Sequence, residues 1–213
     1  MSAKSTKGLQ VYMTRGDTVV ESLSPTAVTS AKPAVVSVVN TLAEGQIVKS
    51  IETGMASIDG KAFTVASPTG AEFTLLGSDA TGDTFVVSGA SMEAYDEAEL
   101  ELMCWSSLVP NVDEPTTVST ATFCDPTASI PSAVVEAGSL SFAGFVDILD
   151  SAYTELLAAE ADGNERILRI GLPSNGYLIA EGVVSSVNWD LPIDGAIGYT
   201  GTFALGTKMR HIY

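Results

Sequence analysis

The sequence predicts a mainly β protein: a β-sandwich or half-barrel with one flanking α-helix, carrying a small inserted all-β domain. Three stretches predict it. Residues 166–205 hold three consecutive strand patterns joined by turn chemistry, and 25–91 hold short strands closely punctuated by Gly-containing turns. Only 147–161 reads clearly as a helix. The expected division is 1–24 with 92–213 as one domain and 25–91 as a small β-barrel module.

Residues 1–7 are small and polar and read as a tail. Residues 9–13 predict a first strand, and Arg15-Gly16-Asp17 a turn. In the insert, strands are expected at 35–39, 46–51, 62–66, 72–76 and 84–87. Ala43-Glu44-Gly45, Gly54-Met55, Asp59-Gly60, Thr69-Gly70 and Thr81-Gly82 separate them. Five strands in about sixty residues without a helical pattern suit a small barrel or sandwich.

Residues 92–108 fit either strand or helix. Glu97, Glu99 and Glu101 alternate with Ala98, Leu100, Leu102 and Cys104, which favours a half-buried strand with an acidic outer row. Residues 110–135 are rich in Pro, Thr and Ser and lack periodicity, so they read as a long connection. Residues 139–146 predict a strand. Asp147, Asp150 or Ser151 can cap the helix that follows, with Ala152, Leu156 and Ala159 on one face and Gly163 just past its end.

In 166–172, alternation sets Ile167 and Arg169 on one face and Leu168, Ile170 and Leu172 on the other. Pro173-Ser174-Asn175-Gly176 supplies a turn, 177–189 the return strand, and Asp194-Gly195 another turn. In the last strand Ile197, Tyr199, Phe203 and Leu205 share a face that Gly201 interrupts.

The chain is acidic, with a net charge of −16. Between Lys61 and Arg166 there is no basic residue, while eighteen Asp and Glu fall there. Such a field opposes nucleic-acid binding, which Lys and Arg supply. Cys104 and Cys124 match no zinc spacing and are expected as buried free thiols. His211, the only histidine, lies two residues from the C-terminus, where fraying is expected, so no His-based nucleophilic system is predicted. No phosphate-binding Gly-rich loop, His-Glu-x-x-His pair or calcium loop is present. The first ten residues are polar and no apolar run is long enough to span a bilayer, so the expectation is a soluble, non-enzymatic protein with no cofactor and no metal.

Gly8-Leu9-Gln10-Val11-Tyr12 is followed by Trp105-Ser106-Ser107-Leu108 before the Pro- and Thr-rich connection, and by the helix ending at Ala161-Asp162-Gly163. Leu172-Pro173-Ser174-Asn175-Gly176, Gly182-Val183-Val184-Ser185-Ser186-Val187 and the strand 197–205 complete the set. In their order and spacing these segments resemble the tail tube proteins of long-tailed bacteriophages. The resemblance spans 7–15 and about 104–205. The insert departs from the simplest family members. Its Ala31-Lys32-Pro33-Ala34-Val35-Val36, Gly54-Met55, Asp59-Gly60-Lys61-Ala62-Phe63-Thr64-Val65 and Phe73-Thr74-Leu75-Leu76 resemble a β-module of phage structural proteins. That module is named after the first catalytic cysteine half-domain (FCCH) of ubiquitin-activating enzymes.

The tail tube resemblance implies homohexameric rings stacked into a hollow tube, in which strands of six subunits close one barrel. It implies a virion protein assembled in the host cytoplasm. The implied partners are further copies, a tape-measure protein, a tail terminator and baseplate or tail-tip proteins, with no membrane. DNA would pass an acidic lumen without specific binding. The expected lumen residues are Glu97, Glu99, Glu101, Glu181 and Asp190. Asn111, Val112, Asp113, Pro115, Phe123 and Ile130 are expected at contacts between rings, and removal of 25–91 is expected to spare assembly. The alternatives are a phage decoration or receptor-binding adhesin subunit and, from another class, a carbohydrate-active enzyme using the Glu97–Glu101 row.

Overall fold

The computed structural model describes residues 10–16, 19, 21–95, 100–111, 117–119, 129–131, 138–172, 176–192 and 194–212. The first strands are β1 (Gln10–Thr14), β2 (Glu21–Leu23), β3 (Ala27–Val28), β4 (Ala34–Ser37), β5 (Ile47–Ile51), β6 (Ala62–Ala66), β7 (Glu72–Leu76) and β8 (Ser91–Tyr95). Next come β9 (Leu100–Met103), β10 (Trp105–Asn111), β11 (Thr117–Ser119), β12 (Ser129–Pro131) and β13 (Ser139–Phe145). Helix α1 (Ser151–Asp162) precedes β14 (Arg166–Gly171), β15 (Tyr177–Asp190), β16 (Gly198–Leu205) and β17 (Arg210–Ile212).

The expected fold class holds: mostly strand, two principal sheets and one helix. The main sheet runs β10-β13-β16-β15-β14-β1-β9, with β17 added to β15. Its two ends, β9 and β10, are one passage of chain broken only at Cys104. The sheet therefore curls until its first and last strands meet at that residue. Val11, Met13, Leu140, Phe142, Leu168, Ile170, Val184 and Phe203 form its core with Ala152, Tyr153, Leu156 and Ala159 of the helix. Asp150 caps the helix by accepting from the Ala152 N–H at 3.1 Å, and Gly163 ends it at φ 63°, where a side chain would be strained.

The row that Gly201 interrupts has a steric explanation. A Cβ there would sit 2.3 Å from the Phe142 ring, and one on Gly144 would sit 2.5 Å from the Tyr199 ring. Phe142 is register partner to Gly201, and Gly144 to Tyr199, so each ring covers the glycine opposite.

The second sheet runs β2-β8-β5-β6-β7-β4-β3 around Val36, Phe63, Val65, Phe73, Leu75 and Met92. It reaches beyond 25–91, because Glu21–Leu23 and Ser91–Tyr95 pair with each other inside it. The strand expected at 84–87 is absent. Phe85 packs on the core and the Val86 N–H reaches Thr53 O at 2.9 Å, but Val86 and Val87 are exposed. A short apolar run looks strand-like even when only one of its side chains docks.

Three further expectations are corrected. Residues 210–212 are not frayed: Arg210, His211 and Ile212 pair with Ile179, Leu178 and Tyr177. Cys104 is exposed rather than buried, because it sits at the turning point between β9 and β10; Cys124 lies outside the described residues. Finally, β14 is buried on both faces from Arg166 to Ile170. Leu168 and Ile170 face the helix-covered core, while Ile167 joins Ile179 and Ile212 against Ile47 and Ala62 of the second sheet.

Candidate assembly surface

The curl of the main sheet leaves two outer edges. Among the described residues β10 pairs only with β13, and β9 only with β1. Trp105 anchors β10 inward by stacking on Phe142, with centroids 4.4 Å apart. Ser106, Ser107, Val109, Pro110 and Asn111 are exposed. Such an edge is a template for another chain. Pro110 lacks an N–H, so a pairing strand would find its donors within Trp105–Val109.

Register places Ser107, Val109 and Asn111 of β10 beside Ala143, Ser141 and Ser139 of β13, then Thr200 and Thr202 of β16, then Asn188 and Ser186 of β15. This outer face is neutral and hydroxyl-rich. Ser107, Ser141, Asn188, Thr200 and Thr202 line a shallow groove of about 310 Å³ on it. Asn111 donates to Ser141 Oγ at 2.6 Å, which holds the amide flat on the face. Asp190 is exposed at the end of β15 and is the first carboxylate on this face.

Of the expected lumen carboxylates, only Glu181 and Asp190 have described side chains. Glu97 and Glu99 lie outside the described residues. Glu101 falls in β9 opposite Met13, at the sheet edge. Glu181 is corrected: it is 1% exposed and points into the seam between the two sheets. Its Oε1 accepts from the Ala62 N–H at 2.7 Å and from Arg210 Nη2 at 2.5 Å. Its pattern position looked exposed because only one side of the sheet had been assigned a cover. Of the expected ring contacts, Asn111 is exposed and Ile130 lies in β12 opposite Val118. Val112, Asp113, Pro115 and Phe123 lie outside the described residues.

Cations are drawn inward. Arg166, 1% exposed, reaches Asp162 at 2.6 Å and Glu155 at 3.4 Å. Burial works to raise the Asp162 pKa, but hydrogen bonds from Arg166 and Asn164 outweigh it and hold the carboxyl below its ordinary value. Arg169 lies between the rings of Tyr12 and Tyr177, at 5.0 and 5.4 Å, and donates to Gly45 O at 3.1 Å. Arg210 stacks on Phe63 at 4.3 Å and also donates to Ala62 O, and desolvation pushes its pKa down. Lys49 pairs with Glu165 at 2.6 Å across the seam. Four of the ten basic residues are thus held in the interior or at the seam, three of them paired there with carboxylates.

Sequence reasoning missed this seam. The available signal was Arg166-x-x-Arg169 inside an apolar strand, since buried cations need partners on both faces.

Fold and surface together define a mainly β protein whose curled sheet carries open edges and a second sheet fastened to its back. Among the described residues no cluster of His, Cys, Asp and Glu is arranged to hold a metal. No family model matches the chain, and no curated protein matches it. Solved structures do. The tail of an empty gene transfer agent particle, refined with C6 symmetry, matches at 16% identity over 55% of this chain and 89% of that one, with a TM-score of 0.43. The virion of a native gene transfer agent particle matches at 15% identity over 55% and 92%, also at 0.43.

Proposed function

We propose that the chain is a structural subunit of a phage-type tail tube, non-enzymatic, whose copies join through sheet edges into rings around an acidic bore. The observation that carries the reading is the open edge at β10, beside a sheet already curled toward closure. Strands of neighbouring copies extend that sheet, and a closed ring removes the unpaired edges each copy has alone. Six copies per ring, a tape-measure protein within, and terminator and tail-tip proteins at the ends follow from the tail tube resemblance. So does virion localisation after assembly in the host cytoplasm. The second sheet is read as the module resembling the FCCH domain, carried on the back of the subunit.

The inward placement of Arg166, Arg169 and Arg210 supports a surface past which DNA travels without adhering. Fixed cations there would release counterions and hold the duplex, whereas carboxylates repel it. Glu101 and Asp190, with Glu97 and Glu99, remain the proposed lumen carboxylates. Size-exclusion chromatography and negative-stain microscopy of the purified protein test the reading: hollow tubes or rings are expected. A compact monomer or trimer that never polymerises at high concentration sinks it and leaves the decoration or adhesin reading.

A further inference from the structure

The chain passes between the two sheets twice, from β1 to β2 and from β8 to β9. Apart from these crossings the sheets meet at a small seam. Its buried side chains are Ile47 and Ala62 on the second sheet and Ile167, Ile179 and Ile212 on the main one. The second sheet does not need that seam for its core, whose buried side chains all come from between Leu23 and Ala94.

Strand β17 closes the seam. Leu205 of β16 stands opposite Gly182, and Arg210 of β17 opposite Ile179, so five steps along one strand match three along the other. The surplus is taken up within 206–209, after which the chain resumes its path along the first residues of β15. Alternation then puts Arg210 and Ile212 on the face toward the second sheet and His211 on the other, where it is exposed. Arg210 lies on the Phe63 ring at 4.3 Å, donates to Ala62 O and holds Glu181, which in turn accepts from the Ala62 N–H. Ile212 packs with Ile47 and Ala62 and against Gly77, where a Cβ would lie 3.2 Å from its Cγ1. The strand is bonded to one sheet through its backbone and to the other through its side chains.

Without β17 the seam keeps little. Ile167 and Ile179 lose a covering neighbour, and Glu181 becomes a buried charge without its cation. Such a group turns to water rather than stay, and the Ala62 N–H loses its acceptor. What remains is Arg169 donating to Gly45 O and the pair of Lys49 with Glu165, the latter half-open to solvent and weak for that reason.

We propose that β17 is a strap. In place it makes the two sheets one body; lifted, it lets the second sheet move on its two chain crossings while both sheets keep their cores. The strap has three register pairs on β15 against eight for β16, so it is the part of that strand passage that opens first. Neither β9 nor β10 pairs with it, so it acts without disturbing the edges proposed for ring closure. The inference does not depend on the tail tube reading.

The test is a reversible lock. A Cβ on residue 77 would lie 3.8 Å from Ile212 Cβ, the usual separation across a disulfide. Gly77→Cys with Ile212→Cys, in the full chain also carrying Cys104→Ser and Cys124→Ser, ties the strap when oxidised and leaves it without its isoleucine when reduced. Hydrogen exchange is read at the Ala62 N–H and at the amides of β4, which lies away from the seam. Reduction is expected to speed exchange at Ala62 by about tenfold or more while β4 stays protected. Ile212→Ala alone, which leaves Gly77 in place, is expected to do the same. Equal exchange at Ala62 in both redox states and in Ile212→Ala overturns the strap. Loss of protection in β4 together with Ala62 also overturns it, since β17 would then be part of the second sheet's own fold. Cysteines that never bridge under an oxidant overturn the placement of Ile212 against Gly77, and the strap with it.

Discussion

Glu181, in the longest strand of the main sheet, accepts a hydrogen bond from the backbone N–H of Ala62 in the second sheet at 2.7 Å. The same oxygen accepts from Arg210, whose guanidinium lies on the Phe63 ring. One carboxylate thus joins three segments distant in sequence, in a seam otherwise made of Ile47, Ala62, Ile167, Ile179 and Ile212.

Replacing Glu181 by Leu leaves Arg210 without its counter-charge and the Ala62 N–H without an acceptor. The expected loss is about 3–5 kcal/mol in urea unfolding, typical of breaking one side of a buried pair. Adding Arg210→Met should restore part of it, because the unpaired buried charge is removed while the Ala62 N–H still lacks its acceptor. A single variant as stable as wild type would contradict the seam as described.

The seam also reverses the expectation that 25–91 can be removed. Without it, Ile167, Ile179 and Ile212 lose the cover of Ile47 and Ala62, and Glu181 loses Ala62. What remains of the second sheet, β2 and most of β8, keeps no core of its own. A chain with 25–91 replaced by a short Gly-Ser bridge is expected to be recovered aggregated, with increased binding of a hydrophobic dye. Soluble, cooperatively unfolding protein would show that the seam is dispensable.

Gly201 offers a local check on the main core. A methyl group there meets the Phe142 ring at 2.3 Å and Ser186 O at 2.5 Å, so Gly201→Ala is expected to destabilise by about 1–3 kcal/mol through overpacking. Gly70 has open space around the corresponding position, and Gly70→Ala should change the urea midpoint little. Equal effects at both sites would mean that backbone entropy, not steric contact, sets the requirement at Gly201.

Much of this fold was legible. The strands of 62–66 and 72–76, the helix with its Asp150 cap and Gly163 stop, and the 166–205 meander all follow from alternation and turn chemistry that act locally. Burial by a remote sheet leaves a weaker trace. A strand covered on both faces loses its alternation, and Arg169 reads as a solvent residue until Tyr12, Tyr177 and Gly45 are known to surround it. Glu181 was misplaced for the same reason. The exposure of Phe145, Ile148 and Leu149 left no trace in the strand and capping patterns around them, and only the folded chain shows them uncovered.

Arg166 ties the helix to β14 in a way that acid should loosen. The Asp162 pKa is held below its ordinary value, so the unfolded chain binds this proton more readily than the folded one. Its contribution is therefore present above the unfolded carboxylate pKa of about 4 and is lost as pH falls below that. Asp162→Asn is expected to lower stability at neutral pH and to flatten the acid-side decline in the urea midpoint. An unchanged slope between neutral pH and pH of about 3 would assign the decline to other carboxylates.

The acidic bore is tested by reversing its charge. Glu97, Glu99 and Glu101 changed together to Lys move the row from three negative to three positive charges, a shift of six per subunit that every ring repeats. If the row faces the bore, folding and tube assembly survive, and DNA ejection slows because the duplex exchanges its counterions for fixed cations. That retention should weaken steeply as salt rises, which separates it from a steric obstruction that salt would not relieve. Ejection that is unchanged at low salt removes these residues from the lumen. It would leave Asp190, at the end of the hydroxyl-lined face of β10, β13, β16 and β15, as the described carboxylate still eligible for that place.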